Sequence, residues 1–198
     1  MKKKLTIGIG LIVTAGMGMI LTMATTFAQV LPEFLISWKT NNYAPPEYQG
    51  KILPIKSTTV SVSMELIEKG RLANLSAYEV RWFVDDELQT AGFGIKNFSF
   101  EIDTFTGKSS TLVKAEVINY RGTNLEKIIL IPIADPELTI IRLNKNTFKA
   151  LSYFFNVSAI NDLNFTWSVN NVSTSGLVEE PEILSLDLSK IGAETSLA

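Results

Sequence analysis

Between residues 59 and 133 the chain alternates polar and apolar residues in one short run after another, and hardly any stretch carries the 3.6-residue period of an amphipathic helix. Thr59-Val60-Ser61-Val62-Ser63-Met64-Glu65-Leu66 and Tyr78-Glu79-Val80-Arg81-Trp82-Phe83-Val84 both place their apolar set on even numbers. Successive side chains of a strand point to opposite faces, so such runs bury one face and wet the other. Phe98-Ser99-Phe100-Glu101-Ile102 repeats the pattern, and residues 111–118 and 127–133 are predicted to pair as a hairpin around 119–124. Short strands parted by turn residues, with no helices between them, predict an all-β fold built as an antiparallel β-sandwich.

The pattern also recurs. Tyr78-Glu79-Val80-Arg81-Trp82-Phe83-Val84-Asp85-Asp86 aligns with Leu163-Asn164-Phe165-Thr166-Trp167-Ser168-Val169-Asn170-Asn171 at an offset of 85, tryptophan on tryptophan. One residue later in register, Phe98, Phe100 and Ile102 match Leu184, Leu186 and Leu188. Pro32-Glu33-Phe34-Leu35-Ile36 resembles Pro136-Glu137-Leu138-Thr139-Ile140 at an offset of 104, which leaves the first copy 19 residues longer ahead of its tryptophan strand. The extra length falls naturally in Asn41-Asn42-Tyr43-Ala44-Pro45-Pro46-Glu47-Tyr48-Gln49-Gly50, whose prolines and glycine exclude a central strand. Two tandem modules are therefore predicted, 32–134 and 135–198, with Trp82, Trp167, Phe98 and Phe100 in their cores. A second copy of the 112–133 hairpin would begin near residue 198, so the second module is expected to be partial. Three explanations stand: a truncated chain, a module closed with fewer strands, or an open edge completed by a strand from a protein partner or a second copy.

Ahead of the strands lies a leader. Lys2, Lys3 and Lys4 are followed by residues 5–32 without a charge, the layout of an export signal. Thr26-Phe27-Ala28 presents small residues for a cut after Ala28, yet the apolar run matches the roughly 20 residues needed to span a bilayer. Residues 1–31 are thus expected to be either a cleaved signal peptide or an N-terminal hydrophobic helix that anchors the chain through residues 5–28. In both cases the lysines stay cytoplasmic and the remainder is translocated, giving an exported, membrane-anchored or secreted protein.

Several chemistries are excluded by residue type. The chain has no cysteine and no histidine, which removes Ser-His-Asp and Cys-His catalysis, thiolate or imidazole zinc sites, and disulfides. An exported domain without disulfides must stand on its apolar core, and 46% hydrophobic residues supply one. A net charge of −2 argues against a nucleic-acid partner. No catalytic residue, metal ligand or cofactor site is predicted. Gly107-Lys108-Ser109 imitates the end of a phosphate loop, but Ile102 stands where its first glycine should be, so it reads as a turn. Asp85, Asp86 and Glu87, with Glu101 and Asp103, could offer oxygens to calcium but lack the alternating Asp spacing, and read as a solvated hairpin tip. Tyr43, Pro45, Pro46 and Tyr48 form a candidate recognition loop, the alternative being that they pack across the sandwich edge.

An inward Trp82 or Trp167 on an alternating strand, an acidic or amide turn, and then an apolar strand together resemble bacterial immunoglobulin-like and polycystic-kidney-disease-type (PKD-like) surface modules. With the basic leader, the tandem modules resemble membrane-anchored bacterial surface proteins. PKD-like modules carry Trp-Asp-Phe-Gly-Asp-Gly where this chain has Trp82-Phe83-Val84-Asp85-Asp86-Glu87. The resemblance implies tandem immunoglobulin-like sandwiches with a non-catalytic adhesion, spacer or envelope-structure role. Two alternatives are a subunit of a larger surface assembly that uses strand augmentation, and an accessory carbohydrate-binding or hydrolytic module.

Overall fold

The alternating runs form strands where the pattern places them. The computed structural model describes residues 32–103 and 107–187. In the first half, Glu33–Thr40 (β1), Thr59–Glu68 (β2) and Arg71–Leu72 (β3) form one antiparallel sheet, and Asn97–Glu101 (β6) pairs with β2 on the side away from β1. Glu79–Val84 (β4), Glu87–Phe93 (β5), Ser110–Tyr120 (β7) and Thr123–Pro132 (β8) form a second sheet in the order β5-β4-β7-β8. Both sheets turn their apolar residues into one cluster. Val60, Val62, Met64 and Leu66 of β2 meet Val80 and Trp82 of β4, Val113, Ala115 and Val117 of β7, and Ile131 of β8. All of these are at most 2% exposed. Phe98 and Phe100 are partly buried, and Phe98 stacks on Trp82 at 5.9 Å and on Phe100 at 5.6 Å.

Local backbone chemistry sets the turns. Asp85 (φ 48°) and Asp86 (φ 68°) are both left-handed, the geometry of the two-residue hairpin whose twist matches its strands. The β7–β8 hairpin is tighter than the six-residue loop expected at 119–124, because Arg121 (φ 49°) and Gly122 (φ 89°) alone make the turn. Asn119, also left-handed at φ 53°, marks a register shift after Val117, and its N–H donates to Asn124 Oδ1 at 2.8 Å.

The second half repeats part of this plan. Glu137–Arg142 (β9), Thr147–Tyr153 (β10) and, later in the chain, Ile183–Ser185 (β13) make a sheet in the order β9-β10-β13. Trp167–Val169 (β11) and Val172–Thr174 (β12) form a hairpin through Asn170 (φ 50°) and Asn171 (φ 64°), the backbone of the Asp85-Asp86 turn repeated. A single 3-10 turn occupies Ile160–Asp162. Its core is small: Ala150, Trp167 and Leu184, backed by Phe148, Phe165, Val169 and Leu186. Among the described residues nothing pairs with β11 on the side that β7 takes beside β4. Leu138 and Ile140 are accordingly 53% and 57% exposed, whereas Phe34 and Ile36 at the matching positions pack on the first core.

The described residues belong to one compact unit. β1 enters at one pole of the first half, where Glu33 faces Ile67, and leaves at the other, where Thr40 faces Val60 and the second half joins. The N-terminal helix expected within residues 1–31 lies outside the described residues; among those described, no helix is long and apolar enough to cross a membrane.

Candidate functional site

The predicted recognition loop is the seam between the halves. After Thr40 the chain turns, with Tyr48 N–H donating to Pro45 O at 2.9 Å, and lies against the second sheet. Tyr43 N–H donates to Phe155 O at 2.8 Å, and Phe154 N–H donates to Tyr43 O at 2.7 Å, a two-bond antiparallel bridge. Phe154 holds a left-handed φ of 63°, unfavourable for an aromatic residue unless its surroundings impose it. The bridge to Tyr43 is one such constraint. Asn42, 4% exposed, donates through Nδ2 to Leu53 O at 2.9 Å and Phe154 O at 3.4 Å, and accepts from Thr40 Oγ1 at 3.2 Å. A buried amide that lost these partners would be destabilising, so Asn42 fixes the exit direction of β1.

Tyr48 completes the seam. Its ring meets Tyr153 edge-on at 5.8 Å and Phe154 at 5.5 Å, and its hydroxyl donates to Lys51 O at 3.3 Å. A Cβ at Gly50 would run into the hydroxyl end of the Tyr48 ring, so a side chain there would displace Tyr48. Pro45 is buried, Tyr43 and Tyr48 are half-buried, and Pro46 is exposed. Between this loop and the outer face of the second sheet runs an apolar groove of about 700 Å³, lined by Tyr48, Ile141, Leu143, Leu151 and Tyr153 among others. Burial raises the pKa of the Tyr43 phenol, and the charges of Glu182 and Glu47 push it further the same way, so the hydroxyl stays protonated. Lys51 lies 3.8 Å over the Trp38 ring, and burial lowers its pKa. Of the seam residues, Asn42, Tyr153 and Phe154 were not singled out from sequence. The signal present was Tyr153-Phe154-Phe155, three adjacent aromatics that alternation cannot all turn to one core.

The two tryptophans do matching work. Trp82 Nε1–H donates to Ile95 O at 3.0 Å, and Trp167 Nε1–H donates to Pro181 O at 2.9 Å. Each acceptor lies just ahead of the following apolar strand, at the offset the sequence repeat gives for those strands. The hairpin tip at Asp85 is occupied by protein donors. Asp85 Oδ1 accepts from Leu112 N–H at 3.0 Å, and Oδ2 accepts from Thr111 Oγ1 at 3.1 Å and Lys108 Nζ at 3.2 Å. Burial works to raise this carboxyl's pKa, but the bonds from Leu112, Lys108 and Thr111 outweigh it and hold the group below the usual aspartate value. Lys108 of the Gly107-Lys108-Ser109 turn therefore serves as a turn-locking cation. Among the described residues no three carboxylates come close enough to hold a metal ion.

These features define an all-β protein of several antiparallel sheets, with a seam that joins two related halves. Comparison of the chain with known protein families, with curated proteins and with solved structures finds no match.

Proposed function

We propose that the chain is an exported, membrane-tethered surface protein whose immunoglobulin-like module, 32–134, and partial second module, 135–198, act as a non-catalytic spacer or adhesive stalk. The strand order supports the immunoglobulin-like reading: β1, β2 and β6 share one sheet, while β4, β7 and β8 share the facing one, with β5 at its edge. The observation that carries the functional reading is the seam. The Tyr43–Phe155 bridge, the Asn42 bonds and the Tyr48 ring contacts join the halves end to end, as a spacer requires. A phosphatase that is active only after export, fused after Asp187, should be active in cells when residues 1–31 are present and silent without them. Silence with the leader present would refute the reading.

A second reading, a subunit that accepts a strand from a partner in a larger surface assembly, is favoured by the exposed inward-side pair Leu138 and Ile140. A photo-crosslinking residue in place of Ile140 should then capture one defined partner or a second copy on intact cells. No adduct would leave the spacer reading alone.

A further inference from the structure

The pole of the first half where β1 begins carries a group of side chains that the sheet core does not use. Leu72 is 66% exposed and Phe93 is 72% exposed, although both are large apolar residues. Both sit at this pole: Arg71 and Leu72 pair with the end of β2, and Phe93 pairs with Glu79, the first residue of β4. Lys69, Arg71 and Arg121 stand around the same end, lining with Leu72, Tyr78 and Tyr120 a cleft of about 580 Å³. Two tight turns place Lys69 and Arg121 beyond the strand ends, one at Lys69 (φ 51°) and Gly70 (φ 73°), the other at Arg121 and Gly122, while Arg71 opens β3.

The local acids are largely engaged. Glu68 Oε2 lies 2.8 Å from Arg121 and accepts from Tyr120 Oη at 3.1 Å, and Glu79 is held by Arg81 at 2.7 Å. Glu33 is the remaining acid on the strand ends here, and neither Lys69 nor Arg71 has an ion pair among the described residues. The chain is acidic as a whole: setting aside Lys2, Lys3 and Lys4, the net charge of −2 becomes −5, this pole included. An acidic body with a basic, apolar-tipped pole has a built-in orientation toward an anionic surface.

Chain continuity says which surface this pole meets. Glu33 opens β1 beside Ile67 at this end, and the 28 uncharged residues 5–32 lead directly into it. We propose that this pole seats on the membrane surface: Leu72 and Phe93 enter the headgroup layer while Lys69 and Arg71, the cations here without an ion pair among the described residues, bind anionic phospholipid headgroups. The inference deepens the tethered-stalk reading and rests on it for the nearness of the bilayer. It gives the stalk an upright stance, with the second half at the far end.

The absence of cysteine makes the test direct. Leu72→Cys, Phe93→Cys and, at the opposite end of β5, Glu87→Cys are each introduced into the full chain, labelled with a fluorophore, and reconstituted in vesicles carrying a nitroxide-headgroup lipid. With phosphatidylglycerol present, labels at 72 and 93 should be quenched severalfold more than the label at 87. At roughly fivefold per charge, Lys69→Gln with Arg71→Gln should lower the ratio of seated to lifted protein about thirtyfold. Far-UV circular dichroism of that double variant should be unchanged, since both side chains are exposed. If the chain floats with vesicles but the three labels are quenched alike, the seat is wrong and the tether stands. If it floats only with anionic vesicles, with 72 and 93 quenched, the tether is wrong and the seat stands. Quenching equal in phosphatidylcholine alone, or labels at 72 that quench one another in detergent, would overturn the headgroup assignment.

Discussion

Tyr48→Ala tests whether the seam makes one stiff body of the two halves. The substitution removes two edge-on ring contacts, to Tyr153 at 5.8 Å and Phe154 at 5.5 Å. Such pairs contribute about 0.5–1.5 kcal/mol each, so the seam should lose about 1–3 kcal/mol, a shift of roughly 5- to 150-fold toward the separated state. The bridge from Tyr43 to Phe155 and the Asn42 bonds would remain, and they lie apart from the first half's core. The first half should therefore keep its unfolding midpoint while the angle between halves loosens. Gln89→Cys and Ser173→Cys, both exposed and one in each half, allow spin labels to report that angle by pulsed electron resonance. The parent should give one narrow distance distribution and the Tyr48→Ala chain a broad one. A broad distribution in the parent, or an equally narrow one in the variant, would refute the idea that these ring contacts stiffen the junction.

Further outcomes follow from the same geometry. Trp82→Phe strands the Ile95 carbonyl in the first core and should destabilise by about 2–4 kcal/mol, and Trp167→Phe, in a smaller cluster, by about 1–2 kcal/mol; a neutral Trp167→Phe in urea unfolding would deny the equivalence of the halves. The lowered Asp85 pKa means that its stabilisation is full above about pH 4, the unfolded value, and fades as pH falls through the lower folded value. Asp85→Asn, which keeps the left-handed turn, should thus cost about 1 kcal/mol at neutral pH, discounted because the side chain is 35% exposed, and flatten the acid limb of the stability curve. In Gly176→Ala the new Cβ meets the backbone carbonyls of Pro181 and Ile183, so the segment carrying the Leu177-to-Ile183 hydrogen bond must shift, and amide exchange at Leu177 should accelerate; unchanged exchange would count against the described packing.

Alternation exposed most of the first half, because each strand there buries one face against the same core and the pattern is the direct trace of that burial. The turns were legible where two consecutive residues tolerate left-handed backbone, as with Asp85 and Asp86 or Asn170 and Asn171. The β7–β8 turn reads as a longer loop because Asn119 spends its left-handed conformation on a register shift, which residue type alone does not distinguish from a loop. The seam was only half legible. Tyr43 and Tyr48 stood out as aromatics on a proline-stiffened loop, but their partners lie more than 100 residues away. No local pattern marks Phe154 as the residue whose strained backbone receives them.

That separation has a consequence for the order of folding. The two-sheet core of the first half closes between residues 34 and 133. Asn42 must then wait for Phe154, 112 residues further along, before its second bond can form. A chain folding from its N-terminal end would therefore complete its first core with Tyr43 and Tyr48 still lacking their partners in residues 153–155, since contacts of such sequence separation are the slowest to form. The seam would be the last step of maturation, and its closure a kinetic signal that the second half has arrived.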